Sequence, residues 1–233
     1  MTTNPAEKES SEYTASNSAF TAAKKSLGLI LKNPVVIVPV LLAEVILTLL
    51  AGLLNPWFVE LFDWYWFADL SYVSSQVLVV SAVFQVVVVA VTLLSVFATL
   101  EMARIATVEG KASLSKGIKG VFARILPLLV VAFVGQAFLL TGILIPIGLT
   151  MWIVAIEDNI GVEKALPKAA RFFRTKFVDV LILTVILFGV RFVLSLIPVP
   201  HIFELSVASD VIVLIALLVL YISSKSQTTN MRA

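Results

Sequence analysis

The sequence predicts an all-α polytopic membrane bundle. It has about six transmembrane helices, the third and fourth forming a short Pro-containing hairpin, with amphipathic helices at the surface. Three observations carry this. First, 60% of the 233 residues are hydrophobic and only 14% are charged, against roughly 45–50% and 25% in soluble domains. Second, several apolar runs approach or exceed the ~20 residues a helix needs to cross ~30 Å of hydrocarbon. Third, Lys and Arg are confined to alternate segments, as the excess of cations on cytoplasmic flanks requires.

Residues 1–17 are rich in Ser, Thr and Glu. They read as a disordered cytoplasmic tail and lack the apolar core of a signal peptide. A single transmembrane domain covers 18–223, and 224–233 form a cytoplasmic tail. Near 18–32, apolar residues mixed with Lys24, Lys25 and Lys32 predict an amphipathic helix lying at the membrane surface. Asn33-Pro34 opens the first span, over 34–54, because Pro suits a first helical turn. Residues 55–71 hold Trp57, Trp64, Trp66 and Tyr65, and rings of this kind favour the headgroup level. They predict an interfacial loop or short helix. The second span covers 72–100, with Gln76 and Gln85 as its polar members.

Residues 101–124 read as a basic loop carrying Arg104, Lys111, Lys116, Lys119 and Arg124. The apolar stretch 125–156 is long for one span and short for two. Gly142 and Pro146 predict a turn at its centre, hence a hairpin of helices over 121–141 and 145–157. A fifth span covers 177–197, 197–205 is a turn, and a last span covers 206–223 with Asp210 near its start. With the N-terminus inside, sixteen of the seventeen Lys and Arg fall in the cytoplasmic segments. The exception, Arg191, lies within a span. This predicts a cell-membrane protein with both termini cytoplasmic.

The absence of cysteine excludes disulfides and thiol catalysis. The lone His201 argues against a His-based metal site. No phosphate-cradling Gly-rich loop is present, so no cofactor is expected. Cytoplasmic flanks explain the basic loop without nucleic acid.

Residues 120–177 combine a basic loop, an apolar run, an "IPIG" turn and "GVEKALPKAARFFRTKF". This pattern resembles the membrane domain attached to some glycerophosphoryl diester phosphodiesterases, and related uncharacterised multi-pass families. The resemblance rests on Pro146, Glu157, Gly161, Ala165 and Leu166, together with the Asn33-Pro34 opening. The turn departs from the Pro-Gly form of those families, and the Ser usual after the Ala-Leu pair is missing. The resemblance implies an integral membrane protein and no phosphodiesterase activity, since that catalytic domain is not in this chain.

Two constellations stand out. Over 163–176, apolar residues at three- and four-residue spacing alternate with Lys164, Lys168, Arg171 and Arg174. This predicts a basic interfacial helix near anionic headgroups, starting near Lys164 or kinked at Leu166–Pro167. Glu157 and Asp158 precede it. Adjacent helical positions point about 100° apart and do not converge on one ion, so they read as carboxylates at a helix N-terminus. The other constellation is Glu44 and Arg191, single charges within spans. At 1.5 Å per residue they lie about 15 and 21 Å from the inner end, within joint reach. Intramembrane charges usually find partners. An ion pair or shared pocket is one reading; the other is that Arg191 snorkels outward while Glu44 is protonated or bonded to backbone.

The expected function is therefore a non-enzymatic integral membrane protein that organises the membrane or scaffolds a partner. Its partners would be the bilayer, anionic headgroups on the cytoplasmic side, and a membrane protein or second copy of the chain. The alternative is a transporter of a small molecule, ion or lipid using Glu44 and Arg191. Topology is directly testable in this Cys-free chain. Ser115→Cys should resist a membrane-impermeant thiol reagent applied outside intact cells; labelling there would reverse the orientation.

Overall fold

The computed structural model describes residues 18–67, 75–140, 144–195 and 202–230. Within these, the side chains of 55–67, 136, 139–140, 191, 194–195, 202–209 and 227–230 lie outside the description. The 1–17 tail, the Gly142 turn and the start of the turn at 197–205 fall outside the described residues. So do the side chains of Gln136 and Arg191. The described chain is all-helical, with no strand among those residues.

Helix α1 (Ala19–Lys32) starts where the Ser18 hydroxyl accepts from the Thr21 amide, a side-chain cap on one otherwise orphaned donor. It packs on the last helix through Ala19, Ala22 and Ser26, a three- and four-residue spacing that makes one narrow face. Asn33 then clamps the chain, accepting from the Ala112 amide at 3.0 Å. Pro34 opens a 3-10 turn (Pro34–Ile37) that leads into α2 (Val38–Phe67). The helix runs past the expected span of 34–54: α2 continues to Phe67, through most of the segment expected as an interfacial loop or short helix. Pro56 removes a single ladder bond, which a helix of 30 residues can absorb.

Helix α3 (Ser75–Glu109) pairs with α2. The segment expected as a basic loop over 101–124 is instead helical. It consists of the end of α3 and a short helix α4 (Leu114–Phe122), capped by the Ser113 hydroxyl. Ala98, Ala103 and Ala106 favour the helix, and Glu101 and Arg104 pair across one turn of it. The expected hairpin appears as α5 (Ile125–Leu140) and α6 (Ile145–Asp158), with Pro146 in the first turn of α6. Then come α7 (Val162–Thr175), α8 (Phe177–Ser195) and α9 (Ile202–Asn230). Helix α7 begins at Val162, earlier than expected, and keeps Pro167 inside it.

The stretch Pro34–Leu54 and helix α3 are each long and apolar enough to cross a membrane alone. The pairs α4–α5 and α6–α7 pass the same test together, but are bent by 81° and 117° at their joints. Among the described residues, the chain thus has two candidate spans, or up to four if each bent pair is one broken span.

The core sits toward one end of the bundle. Helix α6 is buried from Gly148 to Ile156 and α9 nearly throughout Val211–Tyr221. Helices apolar all round belong in an interior. They pack on each other and on α3, whose buried residues concentrate between Leu93 and Ala106. Farther from that end, α2 and α3 expose Leu41, Leu49, Leu53, Val79, Val83 and Val86, as lipid-facing surfaces do. Where α5 meets α6, a Cβ at Gly135 would collide with the indole of Trp152. The Trp152 ring also meets Phe97 edge-on, with centroids 5.9 Å apart.

Gly135→Ala should therefore destabilise the protein by about 1–3 kcal/mol through overpacking, read by denaturant unfolding in detergent. Gly189→Ala, where a Cβ meets open space, should be neutral or slightly stabilising. Equal effects at both positions would show that α5 and α6 do not approach so closely.

Candidate functional site

Charged side chains gather at the end of the bundle where α3, α6 and α9 finish and α4, α5 and α7 meet. The site is built on a turn. Helix α6 ends at Asp158, and Asn159 adopts a left-handed conformation (φ 54°) as its C-cap. Asn tolerates that region better than most residues. Gly161 then caps α7 in extended conformation. The chain reverses within three residues, and α7, with its buried face of Ala165, Ala169 and Phe172, returns against α6, Phe172 also meeting Tyr221 of α9.

Glu157 and Asp158 thus end a helix rather than begin one. The dipole of α6 disfavours them there, so they need cations. Asp158 accepts from three donors: Lys168 Nζ at 2.7 Å and Tyr221 Oη at 2.8 Å on Oδ2, and Lys225 Nζ at 2.7 Å on Oδ1. Lys225 also reaches Glu157 Oε1 at 3.3 Å. The Tyr221 ring meets Phe172 edge-on at 5.1 Å, which aims its hydroxyl at the carboxylate. The Asp158 side chain is only 7% exposed. Burial pushes its carboxyl up, but the bonds from Lys168, Lys225 and Tyr221 outweigh it and hold the group below its ordinary value. The bond to Asp158 raises the Lys225 ammonium above its ordinary value, against a smaller effect of burial.

A second carboxylate, Glu101, is buried near the end of α3, its side chain 4% exposed. Arg104 binds it through two nitrogens, at 2.7 and 3.1 Å, and Arg124 Nη2 adds a third bond at 2.9 Å. Arg124 spends its other donors on Gly120 O at 3.0 Å, Asn159 Oδ1 at 3.0 Å and Ile156 O at 3.5 Å. One guanidinium thereby joins α3, the α4–α5 joint and the end of α6, while satisfying a terminal carbonyl of α6. A third link lies at α1, where the Ala19 amide donates to Asp179 Oδ1 in the first turn of α8 at 3.0 Å.

Beside the α6–α7 turn lies an open groove of about 400 Å³, lined by Pro127, Val130, Asn159, Ile160, Gly161, Val162, Glu163 and Lys164. The described residues include no group of three or more His, Asp or Glu placed to hold a metal. Glu157 Oε2 is buried with no hydrogen-bond partner.

The predicted basic helix residues divide into two sets. Lys168 is drawn into Asp158. Lys164, Arg171 and Arg174 are exposed, with no hydrogen bond or ion pair to a carboxylate among the described residues. The apolar stripe of α7 is spent on protein contacts, with Ala165, Ala169 and Phe172 buried. Glu44 is half-buried in α2. Arg191 belongs to α8, and a pairing between them rests on a side chain outside the described residues. Sequence reasoning missed Glu101, Tyr221 and Lys225. Glu101 follows the apolar run directly and has Arg104 one turn later, a local signal. Lys225 lies 67 positions from Asp158, and no local pattern announces it.

No family model, curated protein or solved structure matches the chain. The resemblance of residues 120–177 stands on those residues alone.

The network predicts a two-sided pH dependence. The stabilisation from Asp158, whose carboxyl is lowered, is present above its unfolded value of about 3.9 and fades as pH falls through the lower folded value. That from Lys225, which is raised, is present below about 10.4 and fades as pH rises through the higher folded value. Asp158→Asn should cost about 1.5–3 kcal/mol near neutrality, and the gap to wild type should narrow at both extremes. A gap that stays constant down to strong acid would contradict these pairings.

Proposed function

We propose that this chain is a non-enzymatic integral membrane protein with six crossings and cytoplasmic termini. Its cytoplasmic rim gathers anionic lipid headgroups and so organises the membrane, or a partner, around it. The observation that carries the reading is how the charges divide. Glu101 and Asp158 are consumed in joining helices. Lys24, Lys25, Lys32, Lys111, Lys119, Lys164, Arg171 and Arg174 are left exposed at the same end, with no carboxylate partner among the described residues. The contact of Asn33 with Ala112 and that of Ala19 with Asp179 bring α1 to this end. A surplus of exposed cations beside apolar spans is what an anionic headgroup layer attracts, at roughly 1 kcal/mol per Lys or Arg.

Among the described residues, Glu101 and Asp158 are held by lysine, arginine and tyrosine donors within the fold. The resemblance of 120–177 to phosphodiesterase-linked membrane domains supports a membrane role without chemistry of its own.

The test is lipid retention. Protein extracted from bilayers of mixed phosphatidylcholine and phosphatidylglycerol should retain the anionic lipid preferentially, as read by native mass spectrometry. The preference should weaken in high salt. Replacing Lys24, Lys25, Arg171 and Arg174 with Gln should lower retention by about fivefold per cation removed. Unchanged retention in the fourfold variant would refute the lipid-gathering role.

A further inference from the structure

The exposed surface of α3 differs from the other apolar faces in one respect. On α8 the exposed stripe is Val178, Leu181, Val185, Phe188 and Phe192, and lipid tails cover such a face completely. On α3 the exposed positions Leu78, Ala82, Gln85, Val89 and Thr92 recur at the same alternating intervals, but this stripe carries an amide at its centre. The neighbouring face of α3, with Val77, Ser81, Phe84 and Val88, is more covered. The Gln85 stripe is a face that the described helices leave open.

Gln85 makes it more than a lipid-facing stripe. The apolar stretch of α3 runs from Val77 to Leu100, so its midpoint lies near 88–89 and Gln85 sits about one turn away. It is eight residues, about 12 Å, from the Val77 end, too deep for its amide to reach the headgroups. The side chain is exposed and makes no hydrogen bond to any described residue. An amide with two donors and an acceptor is costly to leave unpaired in hydrocarbon, and Gln is among the side chains that join helices across membranes.

We propose that two copies of this chain associate in the membrane through this α3 stripe, with the two Gln85 amides hydrogen-bonded to each other. The occupant follows from the chemistry. A primary amide is donor and acceptor at once, hence self-complementary. Copies in one membrane share an orientation, so a two-fold axis along the membrane normal brings Gln85 of one against Gln85 of the other, an isologous contact. Leu78, Ala82, Val89 and Thr92 supply the packing above and below. This interaction is independent of the lipid reading.

The test uses the chain's lack of cysteine. Ala82→Cys and Val89→Cys, made singly in the full-length protein in native membranes, should form disulfide-linked dimers on mild oxidation. Leu181→Cys on the α8 face should give only background. Adding Gln85→Leu should reduce the crosslink several-fold, whereas Gln85→Asn, which keeps an amide, should largely preserve it. Unfolding measurements on the Gln85→Leu variant confirm that the monomer is intact. Crosslinking no greater than at Leu181→Cys would overturn the proposal. So would adducts to a different protein, or crosslinks that Gln85→Leu leaves unchanged.

Discussion

Everything at the packed end of this bundle depends on buried carboxylates that must be given donors. Glu101 and Asp158 sit among apolar helices, where an uncompensated ionised carboxylate costs several kcal/mol. Neither finds enough donors on its own helix. Glu101 takes Arg104 from α3 and then Arg124 from the α4–α5 joint. Asp158 takes Lys168 from α7 and Tyr221 and Lys225 from α9. Meeting the needs of two carboxylates thus fixes the ends of several helices relative to one another. The left-handed Asn159 and the 117° bend between α6 and α7 follow the same requirement, because they return Lys168 to the carboxylate that α6 has just delivered. Such networks are often no more stable than an apolar core of equal volume; what this one adds is a single geometry for helices whose remaining contacts are non-directional.

The two ends of the molecule therefore differ physically. At the charged end, directional bonds supplement a close-packed core formed by α3, α6 and α9. At the other, the described parts of α2 and α3 expose apolar side chains such as Leu49, Leu53, Val79 and Val83, and such surfaces set no unique partner. At 35 residues, α3 is about 52 Å long, well beyond ~30 Å of hydrocarbon. Its last turns, which carry Glu101, Arg104 and Glu109, belong to the charged end rather than to the lipid. The exposed cations of α1, α4 and α7 rim that same end, and this is the basis of the proposed role at an anionic membrane surface.

Much of the fold was legible because it is written in local pattern. The apolar stretches, the hairpin of α5 and α6, and the amphipathic helix over Val162–Thr175 follow from composition and spacing, which act within a few residues. The errors have local causes too. Residues 55–71 read as an interfacial loop or short helix because their aromatic side chains suit the headgroup level, whereas the helix of the first span runs on through Phe67. The basic segment after residue 100 reads as a loop because its charges were assigned to topology alone, whereas Glu101 and Arg104 pair along a continuing helix. In sequence, Glu157 and Asp158 read as opening a helix, since carboxylates favour that end. They close one instead, because donors from α7 and α9 outweigh the dipole. Those donors come from positions distant in sequence, and only the packed chain brings Tyr221 and Lys225 to Asp158.

The central claim, that shared buried carboxylates hold the helices in register, is tested most directly by a double-mutant cycle between Glu101 and Arg124. The variants are Glu101→Gln, Arg124→Gln and the pair, with unfolding free energies measured in one detergent. The two side chains are 4% and 17% exposed and lie 23 positions apart, so their interaction is shielded from solvent and non-local. The account predicts a coupling of about 1.5 kcal/mol or more, the double variant losing clearly less than the sum of the singles. Losses that add to within about 0.5 kcal/mol would show that the network decorates the packed end without holding it together.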